Sequence, residues 1–533
     1  MMKLKSLVQF VFVALPLFLS VSAAQAGTWV VTKNTWSAQD EANYQQFVVR
    51  FGQSKCNTVD SCFKDPQVNP WLNDEDRAQT FTSDCGRLPY IMRMYFAYKN
   101  GLPFSAVTWV GLTPEEDGTG RGLTNSVNGN IMKGRQQAPS RNGRAVNYWS
   151  FHKMIMSSVF TGNYRFDAQR DMTVLPDFYP VKMDRTSIHP GTIIYDPSGH
   201  VATVYDINAG GDIRYVDAHP DNTVSRKLYN KTFERSRPAH GAGFKNFRPF
   251  TVSQNVFTYA PNSDIPDFSM MQFFGTNPDP SGDWTKGKFV YNNRTVDYYE
   301  YLQLNMATTQ IKFNPLDGFK RDLGSLCDSL QLRSTEDIPA AVTAGIPAKP
   351  HPDTIPGNIY SSSGDWEDYS TPGRDFRARD AVFEMIRSVQ QLQKRLAAHD
   401  PLVEYSGPNL KQDVIAAAKS IASACIISYT KSDGAKQSMN LLQAVTRLNV
   451  MSFDPYQCVE RRWGAAEGSP ELSSCQEDQT NEDWYAAERF LRNKLDKNPT
   501  ADGDMTLEQT QQLNAQSKGV YNYDLIYYLQ KYL

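Results

Sequence analysis

His189-Pro190-Gly191-Thr192-Ile193-Ile194-Tyr195-Asp196-Pro197-Ser198-Gly199-His200-Val201-Ala202-Thr203-Val204-Tyr205 sets two short, β-branched apolar runs on either side of an Asp-Pro-Ser-Gly turn. A third run, Ile213 to Val216, follows the turn signal Asn208-Ala209-Gly210-Gly211. Runs of this length, separated by residues that reverse the chain, predict hairpin-linked antiparallel strands. His200 opens the second strand and Asp217 closes the third. Strand alternation places His200, Ala202 and Val204 on one face.

Upstream, Thr82-Ser83-Asp84-Cys85 precedes apolar positions Leu88, Ile91, Met92, Tyr95 and Phe96, which recur at helical spacing until Gly101. The polar residues predict a helix start, with Cys85 in the first turn. A helix packed on an antiparallel sheet is an α+β fold, and in that arrangement the His200 ring is expected to stand over the sheet toward the cysteine helix.

The chemistry follows from these placements. Attack on a carbonyl requires thiolate, and an ordinary thiol is only partly ionised at neutral pH. A helix start and a nearby imidazole both favour the anion. His200 is the expected base, taking the proton of Cys85 and returning one to the leaving amine. A third polar group must hold the ring, and Asp217, at the end of the adjacent strand, is the first choice; His219, of the same alternation parity, is the alternative. The Cys85 backbone amide is the expected oxyanion donor. The cycle calls for no cofactor and no metal. Asp84 is expected to cap the helix, and its charge opposes activation of the neighbouring thiol. Trp109 and Trp149 are expected in the core, with cleft lining as the other reading, and His152 as a packing residue.

The chain opens with Lys3 and Lys5, an apolar stretch from Val8 to Val21 and Ala24-Gln25-Ala26 before Gly27, the pattern of a cleaved secretory leader. The remainder is expected in the periplasm or secreted, without an integral membrane segment. Loss of the leader removes two lysines and no acid, so the formal charge goes from −2 to −4, which argues against a nucleic-acid partner.

Seven cysteines in an oxidising compartment leave one over. Cys56 with Cys62 and Cys458 with Cys475 would close short loops. Cys327 is left for Cys425, for which a buried reduced thiol is the alternative. The unpaired thiol is then Cys85.

A chain of 533 residues exceeds what one core serves. The expected division is a leader over 1–26, a hydrolase domain with insertions over 27–345, a Pro- and Ser-rich linker or wrapping segment over 346–374, and a mainly helical domain over 375–533. Helical runs are expected from Val382 to Leu396, from Val414 to Tyr429, from Met439 to Leu448 and around Trp484 to Leu495. Asn147 to Phe160 is expected to include a helix within the long interval between Cys85 and His200.

In this order the motifs resemble the NlpC/P60 group of the papain-like superfamily. Asp84-Cys85 resembles its Asp-Cys nucleophile motif, Gly101-Leu102-Pro103-Phe104 the turn after that helix, Pro190-Gly191-Thr192-Ile193 its Pro-Gly-Asp-Leu strand opening and Gly199-His200-Val201 its Gly-His-Val motif. The resemblance covers about residues 80 to 220. It departs at Gly86-Arg87, where Ser-Gly is usual, at Thr192, and in the long gap from Cys85 to His200. It implies a papain-like domain that cleaves amide bonds in peptidoglycan stem peptides, with a third polar residue, here Asp217 or His219, orienting the base. Val216-Asp217-Ala218 is also similar to the strand end of transglutaminase-like proteins, which implies a Cys, His and Asp triad; a protein-directed cysteine protease or a transglutaminase-like acyltransferase is the alternative expectation. A further expectation is a non-catalytic envelope binding or assembly protein, meeting a protein partner through the helical C-terminal domain.

Overall fold

The computed structural model describes residues 27–533 except 115–125, 127, 145, 198, 234, 361, 363, 496–497, 502 and 517–521. The leader stretch 1–26 thus lies outside the described residues. The fold is mixed α+β, richer in strands early and helical toward the C-terminus.

At the centre of the N-terminal part lies a six-stranded antiparallel sheet: β1 (Phe178–Pro180), β2 (Ile193–Asp196), β3 (His200–Ile207), β4 (Ile213–Ala218), β5 (Val224–Leu228) and β6 (Gly243–Phe247), in spatial order β1-β6-β2-β3-β4-β5. The three strands expected around His200 are β2, β3 and β4. Period-2 alternation sends their side chains into two cores. Ile193, Tyr195, Val201, Tyr205, Val216 and Ala218 pack in one cluster with Tyr44, Phe47, Ile91, Tyr95 and Ile155 from helices α1 (Ala38–Gln53), α2 (Leu88–Lys99) and α3 (Tyr148–Ser158). On the opposite face, Ile194, Ala202, Val204, Tyr215 and Phe244 pack with Phe233, Phe289, Tyr298 and Leu302.

Helix α1 begins with a reciprocal cap in which Ser37 and Asp40 satisfy each other's backbone N–H groups. It presses on β3 through Gly52, where an added Cβ would lie 2.0 Å from the Tyr205 ring. That approach is open only to glycine.

Helices α4 (Pro315–Leu332), α5 (Pro372–Ala397) and α6 (Leu410–Ala424) form a second layer around Phe319, Leu323, Leu326, Val382, Met385, Val389, Val414 and Ala418. The disulfide Cys327–Cys425 joins α4 to the end of α6, and Cys56–Cys62 and Cys458–Cys475 close the two short loops. Cys85 is free among the described residues. The expected helical run from Val414 to Tyr429 stops at Ala424. Ile426–Thr430 is instead a strand paired with Lys436–Asn440, which also claims Met439. There Ile427 and Tyr429 are buried while Ile426, Ser428 and Thr430 are exposed, a period of two that the preceding helical pattern obscures. Asn440 then caps the helix Leu441–Thr446.

Residues 346–374 bury Ile346, Ile355, Ile359 and Trp366, pair Thr354–Ile355 with Met505–Thr506 and lead through a short helix, Asp365–Tyr369, into α5. His351 holds this stretch in place. Its side chain is fully buried, stacked on Trp484 at 4.7 Å, with Nε2 2.8 Å from Asp454 Oδ2 and Nδ1 2.7 Å from the Pro352 carbonyl. Burial opposes the charge on this ring, but two acceptors favour the imidazolium and raise its pKa. Among the described residues no helix is long and apolar enough to cross a membrane.

Candidate active site

Cys85 lies in the turn that feeds α2, not in its first helical turn. The helix starts at Leu88 with Arg87 as its cap residue and Pro89 in the first turn, where a missing N–H costs nothing. Asp84 anchors the turn: its Oδ1 accepts the Arg87 N–H at 2.9 Å, its carbonyl accepts Leu88 N–H at 3.0 Å, and its carboxylate pairs with the Arg87 guanidinium. Gly86 sits against Thr161, where an added Cβ would come 3.0 Å from the Thr161 nitrogen, and its carbonyl accepts the Tyr164 hydroxyl at 2.7 Å. The half-buried Cys85 thiol donates to the Gly199 carbonyl at 3.8 Å.

His200 opens β3 as expected. The preceding Gly199 takes φ +86°, and a Cβ there would come 3.0 Å from the Tyr360 carbonyl, so both the turn and the close approach require glycine. His200 Nε2 is 3.0 Å from Asp217 Oδ2. Asp217 is wholly buried, and its Oδ1 accepts the Ser225 hydroxyl from β5. His219 stands on the far side of the same carboxylate, with Nε2 4.0 Å from Asp217 Oδ1.

The face expected of His200 needs correction. Its alternation partners Ala202 and Val204 pack away from α2, with Phe233, and the His200 ring lies 5.7 Å from the Phe233 ring. Helix α2 shares its core with Val201, Tyr205 and Val216. The parity was legible, but both faces of the sheet are apolar, so parity alone does not say which one α2 covers. Cys85 meets the start of β3 at the Gly199 carbonyl, and Cys85 and His200 both line one cavity of about 730 Å³.

The cavity's two walls come from stretches far apart in sequence. Cys85, Thr161, Gly199, His200 and His219 form one, and Glu336, Tyr360, Glu367, Arg374 and Arg377 belong to the other. Arg374, in the first turn of α5, donates to His219 Nδ1 at 3.0 Å and is ion-paired with Asp337. No short motif marks these residues, which come to the site through packing of α5, the turn that follows α4 and the stretch between them.

Burial pushes the Cys85 thiol up to about 12, with Asp84, Asp217 and Glu367 adding to the shift and the Val201 N–H opposing it. His200 is lowered, first by burial, with Arg377 and Lys227 adding to that and the Asp217 hydrogen bond opposing it. Burial would raise the Asp217 carboxyl, but Lys227, His200 and His219 hold it well below the usual carboxylate range. His219 is pushed down to about 3, mainly by burial, with Arg374 and Lys227 reinforcing it against Asp217. The resting arrangement is thus a protonated thiol beside a neutral imidazole and an ionised Asp217.

Trp109 is 63% exposed on the strand Phe104–Gly111, so neither expectation of core packing nor of cleft lining describes it. Trp149 is partly buried against Phe81 and donates Nε1–H to Glu75 at 2.7 Å. His152 is buried beside Phe81 and Trp149 and is pushed down to about 4 by burial. Cys458, Cys475 and Glu477 are spaced closely enough for a cation, but both sulfurs are committed to a disulfide.

Comparison of the chain with protein-family models, curated proteins and solved structures finds no match in any of the three.

Proposed function

We propose that this protein is an exported cysteine hydrolase of papain-like type that cleaves amide bonds through a thioester. The observation that carries the reading is the His200–Asp217 pair at 3.0 Å, of which His200 lines the same cavity as the free thiol of Cys85. With Asp217 ionised, the neutral ring places its proton on Nε2, facing the carboxylate, which leaves Nδ1 as the basic nitrogen.

Because the resting thiol is protonated, His200 acts as a general base during attack and not as half of a preformed ion pair. Nδ1 takes the thiol proton as Sγ bonds to the carbonyl carbon. The tetrahedral oxyanion is met by the Cys85 N–H, and His200 gives the proton to the departing amine as the C–N bond breaks. Water, deprotonated by His200, then releases the acid from the thioester and restores the thiol.

Peptidoglycan stem peptides are the first substrate class, on the strength of the motif resemblance. Proteins come second and transfer to an acceptor amine third. One feature favours a second reading, a binding or assembly protein with an inert cysteine: burial and acidic neighbours hold the thiol at about 12.

Incubation of the mature protein with purified cell wall, with an unfolded protein and with an acyl-donor/amine pair separates these readings. The expected result is release of new amino groups from cell wall that disappears in Cys85→Ala. Absence of a Cys85-dependent product from all three leaves the binding reading.

A further inference from the structure

Arg374 belongs to the helical layer, 157 residues beyond Asp217, yet it ends a row of neighbouring polar groups that leads to His200. Its Nη2 is 3.0 Å from His219 Nδ1, His219 Nε2 is 4.0 Å from Asp217 Oδ1, and Asp217 Oδ2 is 3.0 Å from His200 Nε2. Asp217 is fully buried and His219 nearly so. From these contacts we infer that Arg374 is a positioning residue, which sets the His219 tautomer and through it holds Asp217 in place for His200.

A guanidinium constrains the ring that it bonds. It has only donors and no proton to lose at accessible pH. A ring nitrogen bonded to it must therefore offer its lone pair, so a neutral His219 carries its proton on Nε2. That N–H points between Asp217 Oδ1, at 4.0 Å, and Glu336 Oε2, at 3.9 Å. At these distances it supplies the positive end of a dipole and not a hydrogen bond. The Asp217 oxygen nearest to it also takes the Ser225 hydroxyl, which leaves the other oxygen to His200.

The alternative tautomer would set an Nδ1–H against the guanidinium and turn the Nε2 lone pair toward two carboxylates, which is unfavourable at both ends. Lys227 from β5 and the ion pair of Arg374 with Asp337 complete the charged surroundings of this ring. The α5 layer is thereby coupled to the base: where α5 docks, the orientation of Asp217 follows. Arg374 and His219 touch neither substrate nor thiol in this role.

What the positioning serves rests on the hydrolase reading, but its test does not. Nitrogen-15 NMR of the full mature chain with labelled histidine, near neutral pH, reads each ring directly. The native chain is expected to show His219 unprotonated at Nδ1 and protonated at Nε2. Arg374→Met is expected to give a mixture of tautomers, and Arg374→Lys, which still donates, to restore the native one. If an amide substrate is cleaved, kcat in Arg374→Met should fall about tenfold, as for lost outer-shell partners of other functional histidines, with KM little changed. An Nδ1-protonated His219 in the native chain overturns the inference, even if Arg374→Met fails to fold; so does an unaltered tautomer in a folded Arg374→Met. Failure of all substrates with the native tautomer as expected would sink the hydrolase reading and leave this one standing.

Discussion

Asp217→Asn is expected to lower amide cleavage by about 10³- to 10⁴-fold, with the chain still folded by circular dichroism. The carboxylate lies 3.0 Å from His200 Nε2, where it favours a ring protonated on that nitrogen. An asparagine can present its NH2 there instead, and a ring that meets a donor must offer its lone pair at Nε2 and move its proton to Nδ1. That is the nitrogen required to accept the thiol proton. In a serine protease triad the equivalent change removes about 10⁴ in kcat with the geometry otherwise kept. Here the loss should fall on kcat, measured as release of amino groups from cell wall, while KM changes only a few-fold. Retention of activity within a few-fold of the native protein would show that Asp217 does not orient the base.

The second large effect concerns stability. Arg333 and Asp375 form a buried ion pair at 2.7 Å between the end of α4 and the first turn of α5, both nearly inaccessible. Arg333 also donates to the Ser452 carbonyl at 3.0 Å and lies 4.8 Å from the Trp463 ring centre. Asp375→Ala removes one charge and strands the other in a space too dry to solvate it, and breaking such a pair from one side costs about 3–5 kcal/mol. Denaturant unfolding monitored by fluorescence should show a loss of this size. A loss below about 1 kcal/mol would mean that water reaches Arg333. Because Asp375 adjoins Arg374, the same variant loosens the turn that carries Arg374 to His219.

Much of the site was written locally. The turn residues around Gly199 and the β-branched runs beside them give β2 and β3, and the end of the third run gives Asp217. The odd cysteine count singles out Cys85; loop length suggests two of the three disulfides that leave it free, and the third, Cys327–Cys425, follows by elimination. Other features depend on packing that no local pattern encodes. His200 shares its face with Ala202 and Val204, but α2 covers the opposite face because Val201, Tyr205 and Val216 are equally apolar. Cys85 precedes α2 because Pro89 favours the first turn of a helix begun at Leu88. Glu336 and Arg374 have no spacing relation to His219 and meet it only when α4 and α5 dock. The strand Ile426–Thr430 was hidden by the apolar end of α6, where helical and strand periods run together.

A His200 that serves the thiol of Cys85 must set how fast that thiol reacts. Cys85 is the free thiol among the described residues, so alkylation of the folded, unreduced chain by iodoacetamide, followed by peptide mass analysis, reads it directly. Labelling at neutral pH should be slower than for an unhindered thiol, since burial holds Cys85 at about 12, and His200→Ala should slow it at least about tenfold further, as expected for loss of a general base. Equal labelling rates in the native and His200→Ala proteins, or a Cys85 found in a disulfide, would contradict that role.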